Sequence, residues 1–187
     1  ETTDFNALTT DQLAGFTTAG IQALTTAQIK TLGSADIAGL TTDQLVVLST
    51  TQMQALTTDA LNGMTTDAFA SLTATEFGAL TTTQLKALDS AHLEAKIGSL
   101  TSTQLQTLTA ATLNGLTTDG FAAIATGTIG ALTTTQMATL GSAQIAALTT
   151  DQISKLSTAA IAALTTTNIV GLETDDIQNL TTAQIKA

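Results

Sequence analysis

A large apolar side chain recurs every eight positions, at Leu8, Phe16, Leu24, Leu32, Leu40, Leu48, Leu56, Met64, Leu72, Leu80 and Leu88. After one interval of twelve the series resumes at Leu100 and runs, with Ile124 at one place, to Leu180. A second apolar series follows each of these by five positions, from Leu13, Ile21, Ile29, Ile37, Leu45 and Met53 to Ile177 and Ile185, and no member of either series is polar. The unit between them reads Thr-Thr-x-Gln-(Ile/Leu)-x-x-Leu, as at Thr25-Thr26-Ala27-Gln28-Ile29-Lys30-Thr31-Leu32. A continuous helix advances about 100° per residue, so each octad would shift the apolar stripe by roughly 80° and wind it around the axis. A strand would send the two series to opposite faces, each diluted with Thr and Gln. Neither one long helix nor a strand suits the pattern.

The first five positions of the unit resolve the choice. With the first Thr as N-cap, its hydroxyl accepts from the backbone N–H of the Gln three residues on, and that Gln side chain reaches back to the cap's own N–H. The Leu before the cap and the Ile or Leu after the Gln then form the hydrophobic staple. Each octad therefore encodes a helix start and leaves room for about five or six helical residues before the next cap. Charge placement agrees. Of the fifteen acidic residues, all but Glu94 lie at the cap (Glu1, Asp89, Glu173), one position before the Gln site (Asp11, Asp43, Asp59, Asp67, Asp119, Asp151, Asp175) or at the Gln site itself (Asp4, Asp36, Glu76, Asp176). Lys30, Lys86, Lys155 and Lys186 lie in the last turn, as the helix dipole prefers.

The residue before the closing Leu is small in most units, for example Gly15, Gly39, Gly63, Gly115 and Gly171, or Ala23, Ala55, Ala79 and Ala131. Small residues there are expected to let the chain turn sharply and the next helix approach closely. Helices this short do not survive alone in water. An array in which each unit packs on its neighbours can. The sequence thus predicts an all-α solenoid, a superhelical spiral of about 23 very short helices, one per octapeptide repeat, with one longer helix near 89–100. It is expected to be a single continuous array over 1–187, with a four-residue insertion within 89–100 close to one helical turn. Leu93, Ile97 and Leu100 then share a face, so the insertion reads as a phase correction. The apolar series are expected to line a narrow axial core, with Thr, Gln and Asp facing water.

A slower period is superposed. The segment Leu24 to Ile37 has near relatives at Leu80 to Leu93 and Leu132 to Ile145, offsets of 56 and 52. Two readings compete, block duplication of about seven octads or two superhelical coils of about three and a half octads each. With three to four octads per coil, packed helices about 10 Å apart give a rod of roughly 60–80 Å.

Composition narrows the chemistry. The chain has 187 residues, a formal net charge of −10, no Cys, Trp, Tyr or Pro, and one His. Without cysteine there is no disulfide framework, thiol nucleophile or Cys-based zinc site. Five lysines and no arginine make a poor phosphate-neutralising surface, which argues against nucleic acid as a partner. No apolar run approaches the roughly 18 residues that would cross a bilayer. His92 replaces Gln at the third helical position, where a capping or surface role is expected rather than catalysis or metal binding. No nucleophile–base pair stands out, and single carboxylates eight residues apart make a poor calcium cage. No catalytic, cofactor-binding or metal site is expected, no cofactor, and no enzymatic activity. A flat array of Thr hydroxyls for ice or glycan binding is weakened because capping uses the first Thr of each pair.

The unit Leu-Thr-Thr-Ala-Gln-Ile resembles the Thr-Thr-x-Gln repeats of very long bacterial secreted or surface proteins of the adhesin and biofilm-matrix kind, over essentially the whole chain. That resemblance implies an extracellular or cell-surface, extended, structural protein and transfers no functional residues. Glu1 stands at a cap position and Ala187 just before a closing Leu, and neither terminal repeat departs from the unit in the manner of a capping repeat. The expected function is a building block of an extracellular filament or surface stalk that self-associates by stacking of solenoid ends. The alternative is a repetitive binding scaffold for glycans, proteins or ice.

Overall fold

A computed structural model describes the backbone of residues 2–187 and the side chains from Asp4 onward. The chain divides into two compact units, Glu1–Lys96 and Ile97–Ala187, and the division falls inside the interval of twelve. Both are all-α solenoids, and no strand occurs among the described residues. The α-helices are four to seven residues long and stand close to one per octad, as Thr26–Ile29, Ser34–Gly39, Thr42–Leu45 and Thr50–Ala55 illustrate.

The capping rule builds each helix. At Thr25 the cap is extended, with φ −72° and ψ 157°. The Gln28 N–H donates to Thr25 Oγ1 at 3.3 Å, and the Thr25 N–H donates to Gln28 Oε1 at 2.9 Å. The same reciprocal pair forms at Thr9, Thr41, Ser49, Thr81, Thr101, Thr133, Thr149 and Thr181. Two α-type bonds then form the turn, Ile29 N–H to Thr25 O and Lys30 N–H to Thr26 O, both at 3.0 Å, and a tighter one ends it, Leu32 N–H to Ile29 O at 3.2 Å. Two extended residues carry the chain to the next helix, as at Leu40 (φ −74°, ψ 144°) and Thr41 (φ −72°, ψ 158°). These residues make the reversal, so the expected role for glycine in sharp turning is corrected. No glycine among the described residues has positive φ.

Each helix packs on the one three octads further along. In the first unit Thr10–Ala14 meets Ser34–Gly39, which meets Thr58–Asn62, and Thr66–Ala70 meets Ser90–Lys96. In the second, Thr126–Ile129 meets Thr150–Lys155, which meets Thr174–Asn179. Both apolar series point inward, and Ile29, Ile37, Met53, Phe69, Leu93, Phe121 and Ile153 are wholly buried. Burying a side chain of this size stabilises by about 1.5–3 kcal/mol, which an isolated octad could not secure.

Two places depart from the regular pattern. The interval of twelve forms the seven-residue helix Ser90–Lys96 followed by a 3₁₀ turn, Ile97–Ser99, and keeps Leu93, Ile97 and Leu100 buried as the spacing predicts. The octad Thr165–Leu172 forms no α-helix but a turn and a short 3₁₀ segment, Ile169–Gly171. Its run of β-branched residues, Thr165-Thr166-Thr167 and Ile169-Val170, lowers helix propensity. Asn168 also stands where other octads have Gln, its side chain is one methylene shorter, and it is buried.

Candidate functional site

The feature that distinguishes this chain chemically is the hydrogen bonding between successive coils. The Gln residues do not face water as expected; Gln44, Gln52, Gln84, Gln104, Gln136, Gln144, Gln152 and Gln184 are buried. The carboxamide has two ends and each is used. Its oxygen accepts from the cap, and its nitrogen donates to backbone carbonyls of the preceding coil. Gln84 Nε2 lies 2.8 Å from both Met53 O and Leu56 O, while Gln136 Nε2 is 2.8 Å from Leu105 O and 2.9 Å from Leu108 O. Gln184 Nε2 stands 2.8 Å from Ile153 O and Leu156 O. Gln52 and Gln152 make the equivalent bonds to Leu24 O and Ile124 O.

The bond to the closing residue spans 28 positions in every case, which is three and a half octads. Of the two explanations for the slow period, the geometry of each unit supports the coil, since the offset of 56 is two such spans. Elsewhere other side chains supply the same donor. Asn168 Nδ2 donates to Met137 O and Leu140 O, and Thr128 Oγ1 donates to Leu100 O at 3.1 Å. Every buried side-chain nitrogen and oxygen among the described residues has a partner.

A second tie runs along the flank. Asn62 Nδ2 donates to Ala87 O at 2.8 Å while Asn62 Oδ1 accepts from the Asp89 N–H at 3.1 Å. Asn114 repeats this with Thr139 O and the Gly141 N–H, both at 2.9 Å. Close approach between coils also explains some glycines. A Cβ on Gly63 would fall 2.6 Å from the Cβ and O of Ser34, and one on Gly130 would fall 2.6 Å from Lys155 O. The expected close approach is therefore real, but the neighbour is the adjacent coil rather than the next helix.

His92 belongs to this scheme and not to the surface, which corrects one of the two roles expected of it. It is 5% exposed, its backbone N–H donates to Asp89 Oδ1 at 2.9 Å, and its ring joins Asp89 Oδ1 to Met64 O. The ring stands edge to face with Phe69, centroids 5.1 Å apart. No group of three or more His, Asp or Glu side chains that could hold a metal ion is found among the described residues.

The first and last coils show what an interior coil hides. Gln12 is exposed and Gln28 half-buried; their oxygens cap Thr9 and Thr25, and their Nε2 groups have no acceptor among the described residues. Leu8, Phe16 and Leu24 beside them are only half-buried. In the last coil Ile169, Val170, Ile177 and Ile185, which is 67% exposed, face outward. In interior octads the equivalents of these isoleucines are buried beneath the following coil.

The Gln contact had a signal in the sequence. A capping box accepts Glu as well as Gln, and the helix dipole favours the acid. A recurrent preference for Gln over Glu points to use of the amide N–H₂, which the interior coils supply with a distant acceptor.

No curated protein matches the chain. The ALTTAQ repeat model matches residues 1–34, 26–58, 121–158 and 155–182, and the six residues in its name stand here as Ala23-Leu24-Thr25-Thr26-Ala27-Gln28. These matches cover more than half of the sequence, in stretches that include the coil-joining Gln44, Gln52, Gln136, Gln144 and Gln152, and the chain belongs to the ALTTAQ repeat family.

Proposed function

We propose that the chain is a structural array, a building block of an extracellular filament or surface stalk that lengthens by apposition of one coil onto another. The observation that carries this reading is the complementarity of the two end coils. The outward Ile169, Ile177 and Ile185 and the carbonyls of Leu164 and Leu172 present what an interior coil presents to its successor. The Nε2 groups of Gln12 and Gln28, which meet no acceptor among the described residues, and the half-buried Leu8, Phe16 and Leu24 present what an interior coil presents to its predecessor. The occupant proposed for the last coil is a further coil of the same repeat, from the same polypeptide or from a second copy. The burial of isoleucines and the carboxamide–carbonyl bonds that join coils within each unit would be repeated between copies. The resemblance of the repeat to secreted bacterial surface proteins supports the extracellular placing, and the acidic net charge suits a hydrated outer surface.

The test is the mass and form of the full chain over a hundredfold range of concentration, by light scattering and electron microscopy. End-joined species that grow with concentration, and that vanish when Ile177 and Ile185 are replaced by Lys, are the expected result. A monomer at every concentration overturns end-to-end assembly, as does growth unaffected by the two lysines. Saturable retention of the monomer on a glycan array, lost in variants of the exposed threonines, would favour the binding-scaffold reading instead.

A further inference from the structure

We propose that His92 is a proton-operated latch between the last two coils of the Glu1–Lys96 unit, closed when its imidazole carries both ring protons and released when it loses one. This inference is independent of assembly. Wherever Gln joins the coils, the joining group does not titrate; its amide has one acceptor and one donor end at every accessible pH. At position 92 the same task falls to an imidazole.

Both neighbours of that ring are acceptors. Nδ1 lies 2.6 Å from Asp89 Oδ1 and Nε2 lies 2.7 Å from Met64 O. A backbone carbonyl has no proton to give. The Asp89 carboxyl has none at neutral pH either: its partial burial raises it, but hydrogen bonds from the His92 backbone and ring, with the charge of that ring, bring it below its usual value. Each ring nitrogen therefore needs a hydrogen, and only the imidazolium has two. With the proton on Nε2 alone, the Nδ1 lone pair faces the carboxylate. With the proton on Nδ1 alone, the Nε2 lone pair faces Met64 O and the bond between coils is lost. The ring is buried, so the first arrangement is relieved only if the half-exposed Asp89 side chain turns away, and the second is not relieved by water.

The helix packed against Ser90–Lys96 is Thr66–Ala70, which places the Phe69 ring on the imidazole and whose one charged residue, Asp67, is exposed. On the histidine's own helix Glu94 and Lys96 are half-buried, and Asp89, with a side chain 51% exposed, is the acid that touches the ring. The latch sits in the one interval that departs from the octad, at the edge of the division between the two units.

The discriminating variant is His92→Gln, which installs the group that other octads use. In the full chain, amide exchange at Leu93 and the thermal midpoint are measured from pH 5.5 to pH 8.5. Wild type is expected to lose protection at Leu93 by about tenfold between pH 5.5 and pH 8.5, beyond the change in intrinsic exchange rate, with a midpoint lower by a few degrees. His92→Gln is expected to show no such step. The same pH response in both proteins overturns the proposal. Nitrogen chemical shifts of the wild-type ring give a second readout that requires no variant. Two protonated ring nitrogens at pH 6 in the folded chain support the latch, and a neutral ring there overturns it.

Discussion

Gln84 and Leu56 lie 28 residues apart in sequence, and the carboxamide nitrogen of one is 2.8 Å from the carbonyl oxygen of the other. The same Gln84 holds the N-terminus of its own helix, accepting from the Thr81 N–H at 2.8 Å. One side chain thus connects the smallest local motif of the chain to its largest regular spacing.

Gln84→Glu separates the two functions. The carboxylate still caps Thr81, but it places an acceptor against two carbonyls in a buried site, which costs about 2–4 kcal/mol. Gln12→Glu makes the same exchange in the first coil, where the nitrogen has no acceptor among the described residues, and should change stability by less than about 0.5 kcal/mol. Denaturant unfolding compares them. Equal effects at the two positions would mean that the bond between coils contributes nothing.

Glycine should be required at some positions and dispensable at others. Gly63→Ala drives a methyl group into Ser34 and should destabilise by about 1–3 kcal/mol. Gly78, at the end of the Ala74–Gly78 helix, has nothing within 4 Å of the added carbon. Gly78→Ala should stabilise by about 0.5–1 kcal/mol through helix propensity. The sign of the shift in thermal midpoint checks each case.

Asn168→Gln restores the longer amide in the octad that forms a 3₁₀ segment. Together with Val170→Ala, which removes a β-branched residue that is 73% exposed, it should convert Ile169–Gly171 to α-helical bonding. Carbon chemical shifts of residues 166–171 report the change, and shifts identical to wild type would show that tertiary contacts impose the turn.

Acid should weaken the pair at the interval of twelve. The Asp89 carboxyl is held below its ordinary value in the folded chain, so the stability it confers is complete above the ordinary carboxylate range. That contribution falls away as pH drops through the lowered folded value. Asp89→Asn removes the titration and should flatten this part of the acid unfolding profile. An unchanged profile would show that other carboxylates govern it.

Read along the chain, the elements with short reach are legible. A cap, its partner three residues on and the staple around them involve neighbours that meet in any helix start, so Thr25, Gln28, Leu24 and Ile29 declare their structure without further context. The placement of acids follows from the same local dipole. The octad therefore determined that the chain is a series of short helices, and its uninterrupted apolar positions determined that those helices share a core.

What lay beyond the sequence depends on the pitch of the coil. Each passage through two extended residues such as Leu40 and Thr41 turns the chain, and only the sum over three and a half octads decides which carbonyl meets Gln52 or Gln84. That sum put the glutamines inside rather than in water and set Gly63 against Ser34. It also gave His92 two acceptors at once. Local hydrogen bonds and side-chain propensity are fixed within about four residues, whereas contacts between coils arise from accumulated geometry, and tertiary structure alone decides them.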